Sequence, residues 1–206
     1  MLARQHHGGH HGGHHGGHRP DNHIACTLNQ ASVSASSTWG LTIKTIGEEP
    51  KICQIRLDFI SFTNAQPIGG TCVDTFQVHG STSMAPTIRG DNAGQHMYLD
   101  VSSNSDDIKL KFNFGTDTSV ARSWNIRIIK IPCGASYLAP PDCLKYFTSA
   151  TGQVNSFNRM EIAGTATRQL NNQNYNICFR TELVSSQKVT QLCVSVCAVT
   201  TSHTSH

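Results

Sequence analysis

Apolar and polar residues alternate in short runs along much of this chain. The clearest run is 108–114, where Ile108, Leu110, Phe112 and Phe114 fall on one face and Lys109, Lys111 and Asn113 on the other. The same period of two runs through 54–59, where Ile55, Leu57 and Phe59 oppose Arg56 and Asp58. In 96–101, Met97, Leu99 and Val101 oppose Tyr98 and Asp100, and in 123–128 Trp124, Ile126 and Ile128 oppose Asn125 and Arg127. Side chains alternate across a strand, so these runs predict strands with one dry and one wet face, as in antiparallel sheets. Turn-forming stretches such as Ile68-Gly69-Gly70, Gly90-Asp91-Asn92 and Asn104-Ser105-Asp106 separate them, and no helical period is sustained. The pattern predicts an all-β, two-sheet sandwich with Leu110, Phe112, Phe114, Trp124 and Ile126 in its core.

Composition divides the chain into three parts. Residues 1–25 carry His-His-Gly-Gly three times and then His18, so that seven of the twelve histidines fall within residues 6–18. Nothing in that stretch can pack, and glycine loses the most freedom on ordering, so a disordered tail is expected. Residues 26–133 hold the sandwich pattern. After Ala139-Pro140-Pro141, strand-like pieces resume at Cys143–Phe147, Val154–Phe157 and Tyr175–Arg180. Residues 134–206 are thus expected to form an incomplete second β unit, too short to close a sandwich of ~100 residues.

Charge and cysteine narrow the setting. Charged residues are 14% and the net charge is +3, which argues against a nucleic-acid partner, since that affinity needs clustered Lys and Arg. No apolar run reaches the ~18 residues of a membrane span. Eight widely spaced cysteines favour bridges in an oxidising, extracellular compartment. Met1–Gln5 lacks the basic and apolar regions of a secretory leader, so the chain is expected to be a fragment or a mature form.

A family resemblance rests on the order of particular residues. Cys26 is followed by Cys53-Gln-Ile-Arg-Leu-Asp-Phe, then by Cys72-Val73-Asp74-Thr75-Phe76 and Pro86-Thr87-Ile88-Arg89-Gly90. Gly94-Gln95-His96-Met97-Tyr98-Leu99 and a closing Arg122-Ser123-Trp124-Asn125-Ile126 complete the series. Over residues 26–133 this resembles a CUB domain. The run Cys143-Leu-Lys-Tyr-Phe-Thr through Asn174-Tyr-Asn-Ile-Cys178 is similar to the tandem CUB-like unit of arthropod secreted proteins. The resemblance implies a jelly-roll β-sandwich and an extracellular, non-enzymatic module that binds a protein or glycan. It also implies bridges Cys26–Cys53 and Cys143–Cys178. The family's fourth cysteine is replaced here by Arg89. Cys72 is therefore expected as a free thiol, an intermolecular partner, or a partner of Cys193 or Cys197.

Candidate chemistry is sparse. By the resemblance, Asp74 and Asp117 would be calcium ligands, although the family's Glu falls here near Gln66. His6, His7, His10, His11, His14, His15 and His18 are candidate zinc or copper ligands through neutral imidazoles. Cys193, Cys197, His203 and His206 have zinc-ligand types, but the spacing of a finger is absent. No His-Glu-x-x-His, Gly-x-Ser-x-Gly, phosphate-binding loop or dinucleotide fingerprint occurs, so no catalysis is expected. The expected partner is an extracellular protein or glycan. The alternatives are a metal-binding structural or humoral protein acting through its tail, and a non-catalytic arm of a larger secreted protease. Deleting residues 5–18 should abolish Zn²⁺ uptake in calorimetry. Uptake by the intact chain should fade as pH drops below about 6.5, where imidazoles protonate.

Overall fold

The computed structural model describes residues 37–67, 73–102, 107–116, 122–159, 170–181 and 191–195, together with the backbone of 21–28. Nine strands run through these residues, and no helix does. They are β1 (Asp21–Leu28), β2 (Ser37–Ile43), β3 (Ile52–Thr63), β4 (Thr75–His79), β5 (His96–Asp100), β6 (Ile108–Phe114), β7 (Arg122–Pro132), β8 (Cys143–Phe147) and β9 (Asn176–Phe179). β1 begins at Asp21, so the tail boundary read at residue 25 falls inside a strand.

The strands β1-β7-β3-β5 form one antiparallel sheet and β2-β6-β4 form a second. Their facing sides share one core, in which Ile55, Leu57 and Phe59 of β3 meet Leu110, Phe112 and Phe114 of β6 and Trp124 and Ile126 of β7. Phe112 stacks on Trp124 with ring centroids 4.3 Å apart, and Phe76 meets Phe112 at 4.7 Å. The core face predicted from the alternation is therefore the buried one. The fold is an all-β sandwich.

The opposite face of the larger sheet is not wholly wet, as the alternation had suggested. Tyr98, Ile129 and Ile131 are buried there beneath Ala139 and Cys143. β7 shows the change of face within one strand: Trp124, Ile126 and Ile128 point inward, whereas Ile129 and Ile131 point to the covered outer side. β8 and β9 pair in parallel, unlike the rest, and Leu144, Phe157 and Leu170 join the main core. The strand expected at Val154–Phe157 is absent. Asn158 turns the chain there with φ 60°, and the Asn155 carbonyl is taken by the Lys145 ammonium at 2.6 Å.

The bridges are Cys53–Cys133 and Cys143–Cys178. The second is the expected pair, and the first corrects the expected Cys26–Cys53. Cys53 and Cys133 lie at one end of the β3–β7 ladder with Cα atoms 4.8 Å apart, within the bridging range of about 4.4–6.8 Å. Cys26 instead aligns with Trp124, which aligns with Phe62 near the far end of β3. Phe62 is nine residues beyond Cys53 along that strand, roughly 30 Å at ~3.3 Å per residue. Register rules the expected pair out. Opening the 80-residue separation by Cys53→Ala/Cys133→Ala should cost about 4 kcal/mol in urea unfolding. Phe112→Ala should cost about 3–5 kcal/mol in the same measurement. A loss under ~1 kcal/mol would mean that neither feature supports the fold as drawn.

Candidate functional site

Asp74, one of the two expected calcium ligands, is fully buried just before β4. Arg122 donates to it twice, from Nε to Oδ2 at 2.6 Å and from Nη2 to Oδ1 at 3.0 Å. The backbone N–H of Ala65 donates to Oδ2 and that of Gly115 donates to Oδ1, both at 2.9 Å. Each oxygen thus holds two donors, one of them cationic. This corrects the calcium expectation for Asp74, because an internal guanidinium already occupies the place a cation would take. Gly115 is needed for the approach, since a Cβ there would stand 2.2 Å from Val73 Cγ1. Asp117 and the tail histidines lie outside the described residues. The signal for Arg122 was present in the alternation: Arg122, Trp124 and Ile126 share one parity, which places a charge on the core face.

A second buried cation sits under the chain's later part. Lys145 on β8 is 2% exposed and has no carboxylate partner among the described residues. Its ammonium donates to Gln95 Oε1 and to the Asn155 carbonyl and lies 3.9 Å from the Phe157 ring centroid. Burial lowers its pKa to about 7. Nearby, His96 Nε2 accepts the Tyr146 backbone N–H at 3.1 Å. Burial first, then the positive charges of Arg56 and Lys145, lower His96 to about 4. Arg56 donates to Asp58 at 2.7 Å and to the Tyr98 hydroxyl at 2.9 Å.

A lysine that loses its proton near neutrality is a common mark of catalysis. Here the amine is enclosed by Gln95, Asn155, Phe157 and Tyr175. Its role is to fasten β8 to the sandwich. Asn158 fastens the same region from its other end. Its backbone N–H donates to Asn92 Oδ1 at 2.7 Å, and its own Oδ1 accepts the Asp91 N–H at 2.8 Å. Asn158 Oδ1 fills the space above Gly90, where a Cβ would stand 2.0 Å away. Sequence reasoning missed both fasteners, because a lone Lys in Cys-Leu-Lys-Tyr-Phe and a lone Asn carry no spacing signal.

Of the remaining cysteines, Cys193 is a free, exposed thiol, which removes the expected option of a Cys72–Cys193 bridge. Cys72 and Cys197, with His203 and His206, lie outside the described residues. Arg89, the replacement for the family's fourth cysteine, is 7% exposed, its Nε has no partner, and burial lowers its pKa. Among the described residues no three His, Cys, Asp or Glu side chains are grouped to hold a metal.

The cation cage gives a pH dependence with a definite sign. Folded Lys145 loses its proton near pH 7, whereas in the unfolded chain it does so near 10.5. Between these values the unfolded chain binds more protons, so the Lys145 contribution to stability rises with pH across that window. At about 1.4 kcal/mol per pH unit the rise is on the order of 4 kcal/mol. Stability of wild type minus that of Lys145→Met should grow accordingly in urea titrations from pH 7 to 10.5. A flat difference would place the ammonium in water.

Neither curated proteins nor solved structures give a match to the chain. One family model does match, and it covers the region that Lys145, Asn158 and the Cys143–Cys178 bridge attach to the sandwich. With an all-β fold on both sides of the junction, residues 140–206 match the animal CUB domain.

Proposed function

We propose that this protein is an extracellular, non-enzymatic binding module that recognises a protein partner through the surface carried by β8 and β9. A CUB match points in general to an extracellular binding module, and such domains are typically non-catalytic. Two disulfides suit an oxidising compartment. The observation that carries the reading is the edge strand β9. It is pinned through Cys178 to Cys143 on β8, and β8 is its one ladder partner among the described residues. On this pinned edge Phe147 and Phe179 stack at 5.8 Å, each only half-buried, and Ile177 is 37% exposed. Rigid aromatic surface beside an open strand edge is what a protein interface uses, because it adds contact area and ladder bonds at small entropic cost.

The buried ionisable groups support the non-catalytic part, since Asp74, Arg122 and Lys145 are each taken up by internal partners. The test is biolayer interferometry of the immobilised full chain against purified extracellular domains. A saturable partner is expected, and Ile177→Asp should weaken it at least tenfold with an unchanged melting temperature. Equal binding by a folded Ile177→Asp variant would move the site elsewhere. Turnover of peptide, ester or glycoside substrates by the purified chain would overturn the non-enzymatic reading.

A further inference from the structure

The outer face of the β2-β6-β4 sheet is as polar as its inner face is apolar. Two cross-strand rows define it: Thr42, Lys109 and His79, then Gly40, Lys111 and Gln77. Lys109, Lys111 and His79 are exposed, and among the described residues neither lysine has an ion-pair or hydrogen-bond partner. The one described carboxylate at the rim, Asp107, is held by Lys44 at 2.6 Å and by the Thr45 N–H at 3.0 Å. The two lysines thus leave the same face of the central strand from Cα atoms about 7 Å apart, with no carboxylate in either row. Adjacent like charges on one face attract an anion from outside, most strongly at low salt.

We propose that this face binds a sulfated polysaccharide. Gly40 beside Lys111 leaves a gap in the row of side chains. A Cβ added there would make ordinary contact with the Leu110 carbonyl at 3.6 Å and nothing closer, so a side chain fits at this position without strain and its absence leaves a shallow dip. Hydroxyl and amide groups line the path of the charges. Asn113 donates to Thr75 Oγ1 at 3.1 Å and to Gln77 Oε1 at 3.3 Å, which orders that row for contact with sugar hydroxyls. Sulfate suits lysine, a compact point charge with donors in several directions, whereas a planar carboxylate suits the fork of arginine, and neither row contains arginine. Neither row carries an apolar side chain for membrane insertion, which sets lipid aside, and His79 is the one ring in the two rows, so single-stranded DNA is an arm of the test. This site goes beyond the proposed protein-binding surface. β8 and β9 cover the outer side of the other sheet, so each site is tested without the other.

The experiment uses the full chain and a heparin octasaccharide in calorimetry at pH 8 and low salt. At that pH the tail imidazoles are neutral and cannot stand in for the face. Saturable binding that weakens with salt is expected. Lys109→Gln/Lys111→Gln should weaken it at least tenfold, Gly40→Asp should do the same by placing a carboxylate beside Lys111, and Lys51→Gln should leave it unchanged. Melting temperatures of the variants verify that each is folded, and the two independent substitutions keep the test open if one fails to fold. N- and O-desulfated heparin should not bind measurably. Wild-type affinity in either folded variant, equal binding of desulfated heparin, or equal binding of single-stranded DNA or anionic phospholipid vesicles would overturn the proposal.

Discussion

One buried ion pair holds the sandwich in register. Asp74 and Arg122 are almost wholly out of water, and the four hydrogen bonds that Asp74 accepts come from segments of both sheets. Ala65 follows β3, Asp74 precedes β4, Gly115 follows β6 and Arg122 opens β7. The pair therefore clasps the ends of four strands at one pole of the sandwich. Cys53–Cys133 closes the β3–β7 ladder at the opposite pole. Desolvating two charges is expensive, so such a pair adds little net stability over an apolar replacement, yet losing one partner costs about 3–5 kcal/mol. What it supplies is specificity. A shift of β7 by one residue would move Arg122 off the core face and leave Asp74 unpaired.

The chain after Cys133 then makes the two outer faces unlike each other. On the larger sheet it covers Tyr98, Ile129 and Ile131 and brings Leu144 and Phe157 into the main core. The described part of this segment is fastened to itself by Cys143–Cys178 and the β8–β9 pair, and to the sandwich by these core contacts. On the smaller sheet Lys109, Lys111 and His79 stay exposed, and along β6 the alternation is apolar inside and polar outside. One scaffold thus presents a half-buried aromatic edge on one side and an open basic sheet on the other.

Alternation made the sandwich legible because period-two patterning reports burial directly. Phe112, Trp124 and Ile126 could be placed inward from their neighbours alone. Partnering was not legible, because it depends on register between strands far apart in sequence. Cys53 has several cysteines at plausible distances along the chain, and only the β1-β7-β3 order decides for Cys133. The same limit applied to Asp74. A carboxylate before a strand reads equally as a metal ligand, a turn cap or half of an ion pair until the strand carrying Arg122 is placed beside it. Tyr98 looked exposed by parity because the element that covers it lies some forty residues later in the chain.

Acid acts unequally on the two sides. β8 is seated partly by the Tyr146 N–H donated to His96 Nε2, a bond that requires a neutral imidazole. Burial and the adjacent cations keep His96 neutral down to about pH 4, so that this bond survives mild acidity. Protonation below that point turns the acceptor into a donor and sets a third positive charge beside Arg56 and Lys145. Lys145 is already largely protonated by then, since it titrates near 7, and the cage offers Gln95 and Asn155 oxygens but no carboxylate to offset it. The seat of the aromatic edge therefore loosens from within as pH falls. The basic sheet has no such dependence on buried groups, because Lys109 and Lys111 are exposed. The edge thus rests on buried titrating groups and the sheet does not, a difference that follows from where each cation meets solvent.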